Sequence, residues 1–213
     1  VSSSALPTQQ PLADPQPSRR ELNKAASRDA IANAALEFLR SGDLSSFTVD
    51  DVAVAAGVSR RTFFNYFSSV EAAVASFTQN YLDQVILELE ARPADEPVLE
   101  SAQIALSAVG SARNLAILAE TFALTQDPQL GRFQLQAWEE CSLKITEVAR
   151  HRLPPDTDEL YLYALVGAVT GSCRAAFQVW FQKHGTNITD ESLADLRAFL
   201  DSTISHIRNG FSS

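Results

Sequence analysis

The stretch from Thr48 to Phe67, TVDDVAVAAGVSRRTFFNYF, constrains this chain more than any other. It holds two short runs with helical apolar spacing, separated by Gly57. In the first run Val49, Val52, Ala53 and Ala56 fall on one face. Thr48 stands three residues before Asp51. At that spacing the hydroxyl can take the Asp51 amide while the carboxylate reaches back, a capping box with Asp in place of Glu. Gly57 ends the run where the turn needs a positive φ. Ser59 then caps a second run, Arg60 to Tyr66, with Val58 and Phe63 at the positions of a hydrophobic staple. The spacing predicts a helix-turn-helix whose first helix is kept small-faced by Ala53, Ala55 and Ala56, so that the second crosses it closely.

A second helix of this kind needs an apolar side to pack and a polar side to offer. Phe63 and Phe67, four apart, face inward. Arg60, Arg61, Thr62, Asn65 and Tyr66 remain on the other side. Twin arginines in the first turn suit the major groove, where a guanidinium forks onto guanine O6 and N7. Asn65 suits adenine or a phosphate, Ser59 and Thr62 suit phosphate oxygens, and Tyr66 offers a hydroxyl and a ring.

The distribution of charge permits this reading although the net charge is −9. Residues 19–70 carry seven basic and six acidic side chains, whereas residues 71–213 carry ten basic and nineteen acidic. A slightly basic reader therefore precedes an acidic body. Hydrophobic residues make up 46% of the chain, enough for a sizeable core, and Gly and Pro are sparse after residue 17. Such a composition favours helix. The periodicity predicts a first helix from Arg19 or Ser27 to about Arg40, with Ile31, Ala34, Ala35, Phe38 and Leu39 as its stripe. Ser41, Gly42 and Asp43 stop it. A long helix follows from a Ser68–Glu71 capping box to about Arg92, with Val74, Phe77, Tyr81, Val85 and Leu89 on one side. Further helices are predicted over 97–109, 112–125, 128–151, 157–183 and 190–209. Asp127, Asp156 and Asp190 are expected as caps and His184-Gly185 as a stop. No strand pattern or internal repeat is present.

The stretch from Arg28 to Phe77 resembles the DNA-binding region of the TetR (tetracycline repressor) family. The resemblance is carried by Ile31, Ala34, Phe38, Thr48, Val52, Ala53, Ala56, Gly57, Val58, Ser59, Phe63, Phe64, Tyr66, Phe67 and Glu71. It implies an all-α fold: a DNA-binding domain at 19–68 and a helical ligand-binding and dimerisation domain at 69–213, after an N-terminal tail at 1–18 expected to be disordered. It implies a homodimeric, ligand-released repressor of a palindromic operator, with an unidentified small-molecule effector and no cofactor. Thr48, Ser59, Arg60, Arg61, Thr62, Phe64, Asn65 and Tyr66 are the expected DNA contacts, with Arg19, Arg20 and Lys24 as a possible arm. The pocket pool is Phe77, Tyr81, Leu118, Phe122, Trp138, Cys141, Arg174 and Phe177, with Glu120 as a further polar member. Two departures stand out. Phe64 replaces the usual Tyr and Val70 the usual Lys, and loss of that Lys should shallow the salt dependence of binding by roughly one unit.

The body offers independent support for a dimer. Residues 160–181 are nearly all apolar, with Gly167, Ala168, Gly171, Ala175 and Ala176 permitting close approach. Leu193, Leu196, Phe199, Leu200, Ile204 and Ile207 make a stripe on the last helix. An enzyme is the weaker reading. Cys141 and His151 stand ten apart without a third orienting group, the adjacent Glu139 and Glu140 point different ways, and the three histidines lack metal spacing. A structural dimer that lost DNA binding is the other alternative, motivated by Phe64 and Val70. Cys141 and Cys173 are expected as buried core thiols. No uncharged apolar run reaches the roughly 18 residues of a membrane span. No leader is visible, and a cytoplasmic protein is expected.

Overall fold

In a computed structural model, which describes residues 18–41, 47–123 and 128–211, these runs are helices without strands among the described residues. They are α1 (Arg19–Ser41), α2 (Val49–Ala55), α3 (Arg60–Phe64), α4 (Val70–Glu90), α5 (Val98–Val109), α6 (Ala112–Ala123), α7 (Pro128–Arg152), α8 (Glu159–His184) and α9 (Asp190–Arg208). The tail before residue 18, the stop at Gly42-Asp43 and the expected cap Asp127 lie outside the described residues.

The first three helices close over one core. Ile31, Ala32, Ala35 and Leu39 of α1 meet Val52 and Ala53 of α2, and Phe63 and Phe67 around α3. Val70, Ala73 and Val74 from the first turns of α4 belong to the same core, and so does Leu130 of α7. The capping box is formed: the Thr48 hydroxyl accepts the Asp51 amide at 3.3 Å, and the Asp51 carboxylate accepts the Thr48 amide at 2.8 Å. Gly57 has φ +67°, the left-handed conformation the turn demands. Ala53 and Ala56 supply the close crossing, whereas Ala55 lies on the exposed face.

A second core begins where the first ends. Along α4 the buried positions continue through Tyr81, Leu82, Val85, Ile86 and Leu89. These pack with Ala105 and Val109 of α5, Leu115, Leu118 and Ala119 of α6, Cys141 of α7, Phe177 and Trp180 of α8, and Leu196 and Leu200 of α9. Both cysteines are buried and free, as their apolar setting led one to expect. α4 is thus a single rod shared by two cores, packed on α1 at one end and α5, α6 and α7 further along.

The far end of that rod is held by Arg152. Its guanidinium donates to the carbonyls of Arg92 at 3.0 Å and Pro93 at 2.6 Å and to the Ser101 hydroxyl at 2.7 Å, leaving only Nε without a partner. The Glu96 carboxylate accepts from Arg92 at 2.8 Å and from Ser101 at 2.6 Å. Arg152 also donates to the Leu89 carbonyl in the last turn of α4 at 3.3 Å, which gives that helix end a further donor.

Three caps fall a residue or two from their expected places. Ser69, not Ser68, caps α4 and accepts the Ala72 amide at 3.2 Å. Asp158, not Asp156, caps α8, accepting the Tyr161 amide at 3.2 Å. Thr189, not Asp190, caps α9 in a reciprocal box with Ser192. In each case the helix register is set by which residues are buried, and the nearest residue able to cap takes the role. The stop at Gly185 is as expected, with φ +58°. By length and hydropathy α8 also passes as a membrane-crossing helix, but Leu162, Val166, Cys173, Phe177 and Trp180 along it are buried in the bundle.

Candidate nucleic-acid interface and the cavity behind it

The sequence Ala56-Gly57-Val58-Ser59 turns the chain tightly between α2 and α3. The Val58 amide donates back to Ala53 at 2.9 Å and the Gly57 amide to Val54 at 3.0 Å. Ser59 accepts the Thr62 amide at 3.0 Å and lies 2.8 Å from the Thr62 hydroxyl. A helical bond from the Phe67 amide to Phe63 at 3.0 Å carries the last turn past α3. Phe63, fully buried, anchors this short helix to the core.

Its outer side presents Arg60, Arg61, Phe64 and Asn65 to solvent, with Thr62 and Tyr66 half-buried at its edges. The two arginines are not equivalent. Arg60 donates to Asp50 of α2 at 2.7 Å and lies over the Phe64 ring at 5.3 Å. Arg61 has no hydrogen-bond or ion-pair partner among the described residues. Phe64 is 47% exposed and stands edge-on to Phe63 at 5.5 Å, so its ring is held outward without a hydroxyl. Thr48 is exposed at the start of α2, with its hydroxyl donating to Asp51 at 2.7 Å. That bond is the first cause of the lowered Asp51 pKa. Val70 is 7% exposed and packs into the first core, so its departure from the usual lysine is a matter of packing as well as charge.

Of the pocket pool, Tyr81, Trp138, Cys141 and Phe177 line one inner cavity of about 50 Å³ between α4, α5, α7, α8 and α9. Phe77 and Leu118 line a different groove, about 360 Å³, between α1, α4 and α6. Phe122 and Arg174 lie on an outer groove of about 410 Å³ between α6, α7 and α8, which shares Trp138 with the inner cavity. Phe122 stacks on Phe177 with ring centres 5.6 Å apart. Arg174 is exposed rather than enclosed by its apolar helix. Burial pushes the Cys141 thiol up to about 12 and the Cys173 thiol up to about 11, so both are protonated packing groups at neutral pH. Glu120 is not in the cavity: it accepts from Arg40 of α1 at 2.7 Å.

Further polar contacts that the sequence pattern did not expose tie the reader to the body and two helices of the body to each other. Arg28 of α1 donates to Asn80 of α4 at 2.8 Å and lies over the Phe67 ring at 5.3 Å. Gln79 of α4 donates to Glu140 of α7 at 3.0 Å. The two hydrogen bonds join residues more than fifty positions apart, and no local spacing signals them.

A model of bacterial regulatory proteins of the tetR family matches residues 31–79, from α1 into α4. Residues 31–79 thus carry the DNA-binding region of the TetR family. It is 20% identical over 179 residues to the mycofactocin biosynthesis transcriptional regulator MftR of Mycobacterium tuberculosis, covering 83% of this chain and 90% of that one. It is 35% identical over 98 residues to the HTH-type transcriptional regulator EthR of the same species, covering 45% of this chain and 42% of EthR. Among solved structures, the Thermus thermophilus FadR, a TetR family transcriptional repressor in complex with lauroyl-CoA, has a TM-score of 0.54 at 22% identity, covering 87% of this chain and 95% of that chain. The Bacillus halodurans fatty acid degradation regulator FadR has a TM-score of 0.56 at 18% identity, over 86% of this chain and 95% of that chain. These likenesses establish the TetR fold along most of the chain. With this DNA-binding helix-turn-helix the chain is a transcriptional regulator, not an enzyme.

Proposed function

We propose that this regulator is a repressor that binds a palindromic operator as a homodimer and lets go when a small molecule enters its body. The observation that carries the reading is α3: a short helix anchored by buried Phe63, with Arg61 unpaired and Arg60, Phe64 and Asn65 outward. An all-protein role does not call for an unpaired arginine at the tip of a rigid, capped, two-helix turn, whereas a guanine edge does. Thr48, Ser59, Thr62 and Tyr66 flank that tip and suit phosphate contacts. On this reading residues 19–68 read DNA and residues 69–213 sense and dimerise, in the cytoplasm where the operator is.

Dimerisation is assigned to α8 and α9. The side of α8 away from its buried face carries Ala164, Gly171, Ala175 and Val179, all exposed, and α9 exposes Ala194 and Ala198. A methyl built on Gly171 would meet nothing within 4 Å, so this face is open to a second helix pair. Two such pairs make a four-helix interface with two-fold symmetry, which sets two readers about one DNA turn, or a multiple of it, apart. Release follows from population shift: an effector that prefers the low-affinity arrangement by a few kcal/mol displaces α4, which belongs to both cores, and changes the spacing of the readers. The Thermus thermophilus FadR, solved with lauroyl-CoA, supports a small-molecule site in this fold.

The test is a mobility shift with the intergenic DNA beside the protein's own gene. A shift that Arg60→Ala plus Arg61→Ala abolishes supports the repressor. Absence of any shift at low salt would make the chain a dimeric adaptor.

A further inference from the structure

Three observations meet at Trp138, and DNA recognition uses none of them. Inside Trp138 lies the cavity of about 50 Å³, whose open wall is apolar and whose lining includes Tyr81 and Thr170. Tyr81 is 6% exposed and its hydroxyl has no partner among the described residues. Thr170 donates to Val166 at 2.9 Å. Outside Trp138 lies the groove of about 410 Å³, which Gln134 and Arg174 line. Gln134 is 7% exposed and its Nε2 has no partner among the described residues. Arg174, at the rim, has no ion pair among the described residues.

Native interiors rarely leave buried donors unpaired, because desolvating them is costly. Here two are left, one on each side of a single indole. Gln134 Nε2 can only donate and the Tyr81 hydroxyl can donate, so a partner that brings acceptors satisfies both. The outer groove that Gln134 lines also carries the Arg174 guanidinium, which prefers an oxyanion held on two nitrogens. The inner cavity alone admits only a few methyl-sized groups, far less than the roughly 300 Å³ of a small ligand site. Trp138 is the wall that the two spaces share and is only partly buried.

Resting on the ligand-released reading above, we propose that the effector is an amphipathic acid with an oxygen acceptor in its apolar part, such as an oxo fatty acid. Its carboxylate lies outside Trp138 on Arg174 and Gln134, and its chain passes the displaced indole. Its ketone takes the Tyr81 hydroxyl inside.

The test is calorimetric titration of the full chain, without DNA, with four compounds of equal chain length. They are decanoate, its derivative with a ketone near the tail, decanol and decylamine. Both acids are expected to bind, the ketone-bearing one about tenfold tighter, the worth of one good hydrogen bond to a buried donor. The alcohol and the amine are expected to bind at least about tenfold more weakly than decanoate, having lost the guanidinium contact. Arg174→Gln should erase the acid–alcohol difference and Tyr81→Phe the ketone preference, each with an unchanged thermal melt. Equal binding of acid and alcohol, no binding of any of the four, or a ketone preference that survives Tyr81→Phe overturns the proposal. Operator anisotropy run beside the titrations keeps the two readings apart. If operator DNA is bound but none of the four compounds binds, the effector class is wrong and the regulator stands. If the acids bind as expected but no operator is ever gripped, the effector class stands and the repressor reading falls.

Discussion

Arg40, near the end of α1, donates through Nε to a carboxylate oxygen of Glu120 on α6 at 2.7 Å, and a second guanidinium nitrogen engages the other oxygen. Glu37 on α1 completes the cluster. The Glu120 carboxylate holds the Arg40 guanidinium well above its ordinary pKa. This fork joins the reader to a helix of the body without passing through α4.

Because both partners are partly exposed, solvent screens the pair and its worth is modest. A double-mutant cycle with Arg40→Ala and Glu120→Ala, followed by urea denaturation, should give a coupling of about 0.3–1 kcal/mol. Strict additivity of the two single changes would show that the fork contributes nothing.

Arg61→Ala should weaken operator binding by about 1–3 kcal/mol, or five- to 150-fold, at fixed salt. Arg60→Ala should weaken it less, because freeing Arg60 for DNA means giving up its bond to Asp50. The comparison is made by fluorescence anisotropy. An Arg60 effect larger than that of Arg61 would reverse the assignment of roles.

Gly57→Ala should lower stability by about 1–2 kcal/mol through the left-handed backbone alone, since an added methyl meets no atom within 4 Å. Thermal melts would check this. A neutral outcome would mean the turn can adopt another conformation.

The Arg92 guanidinium and the Ser101 hydroxyl hold the Glu96 carboxyl down to about 2. A depressed carboxylate stabilises the fold in full above its unfolded value near 4.5, and that contribution is lost as pH falls toward 2. The wild-type melting temperature should therefore drop more steeply than that of Glu96→Gln over this window, while at neutral pH the variant melts lower. Parallel curves would show that the carboxylate is not tied to the fold.

The reader was legible because its demands are local. A cap three residues from its partner, a glycine at a positive φ and aromatics four apart all lie within one or two turns, so Thr48, Gly57, Ser59 and Phe63 stand where their spacing put them. Caps missed by a residue or two, as at Ser69 and Thr189, fell where neighbouring residues could all cap and burial further along the helix decided. The cavity was only half legible. Tyr81, Trp138, Cys141 and Phe177 converge, but Phe77, Leu118, Phe122 and Arg174 open onto other grooves, since helical spacing names a face and not the neighbour that face meets. Arg40 with Glu120 and Arg152 with the turn at 92–101 join positions far apart in sequence, and one chain read alone holds no trace of such pairings. Gln134, one polar residue among several on α7, gave no signal before its burial was seen.

Val70, Ala73, Val74 and Leu130 fill the floor of the reader although they come from elements that continue into the body. A fragment cut after Phe67 would therefore lose its own foundation and expose the undersides of Ile31 and Phe63 to water. The DNA-reading head cannot be lifted off as a cassette and grafted onto another sensor: any chimera must carry the first two turns of α4, together with a substitute for the leucine that α7 lends.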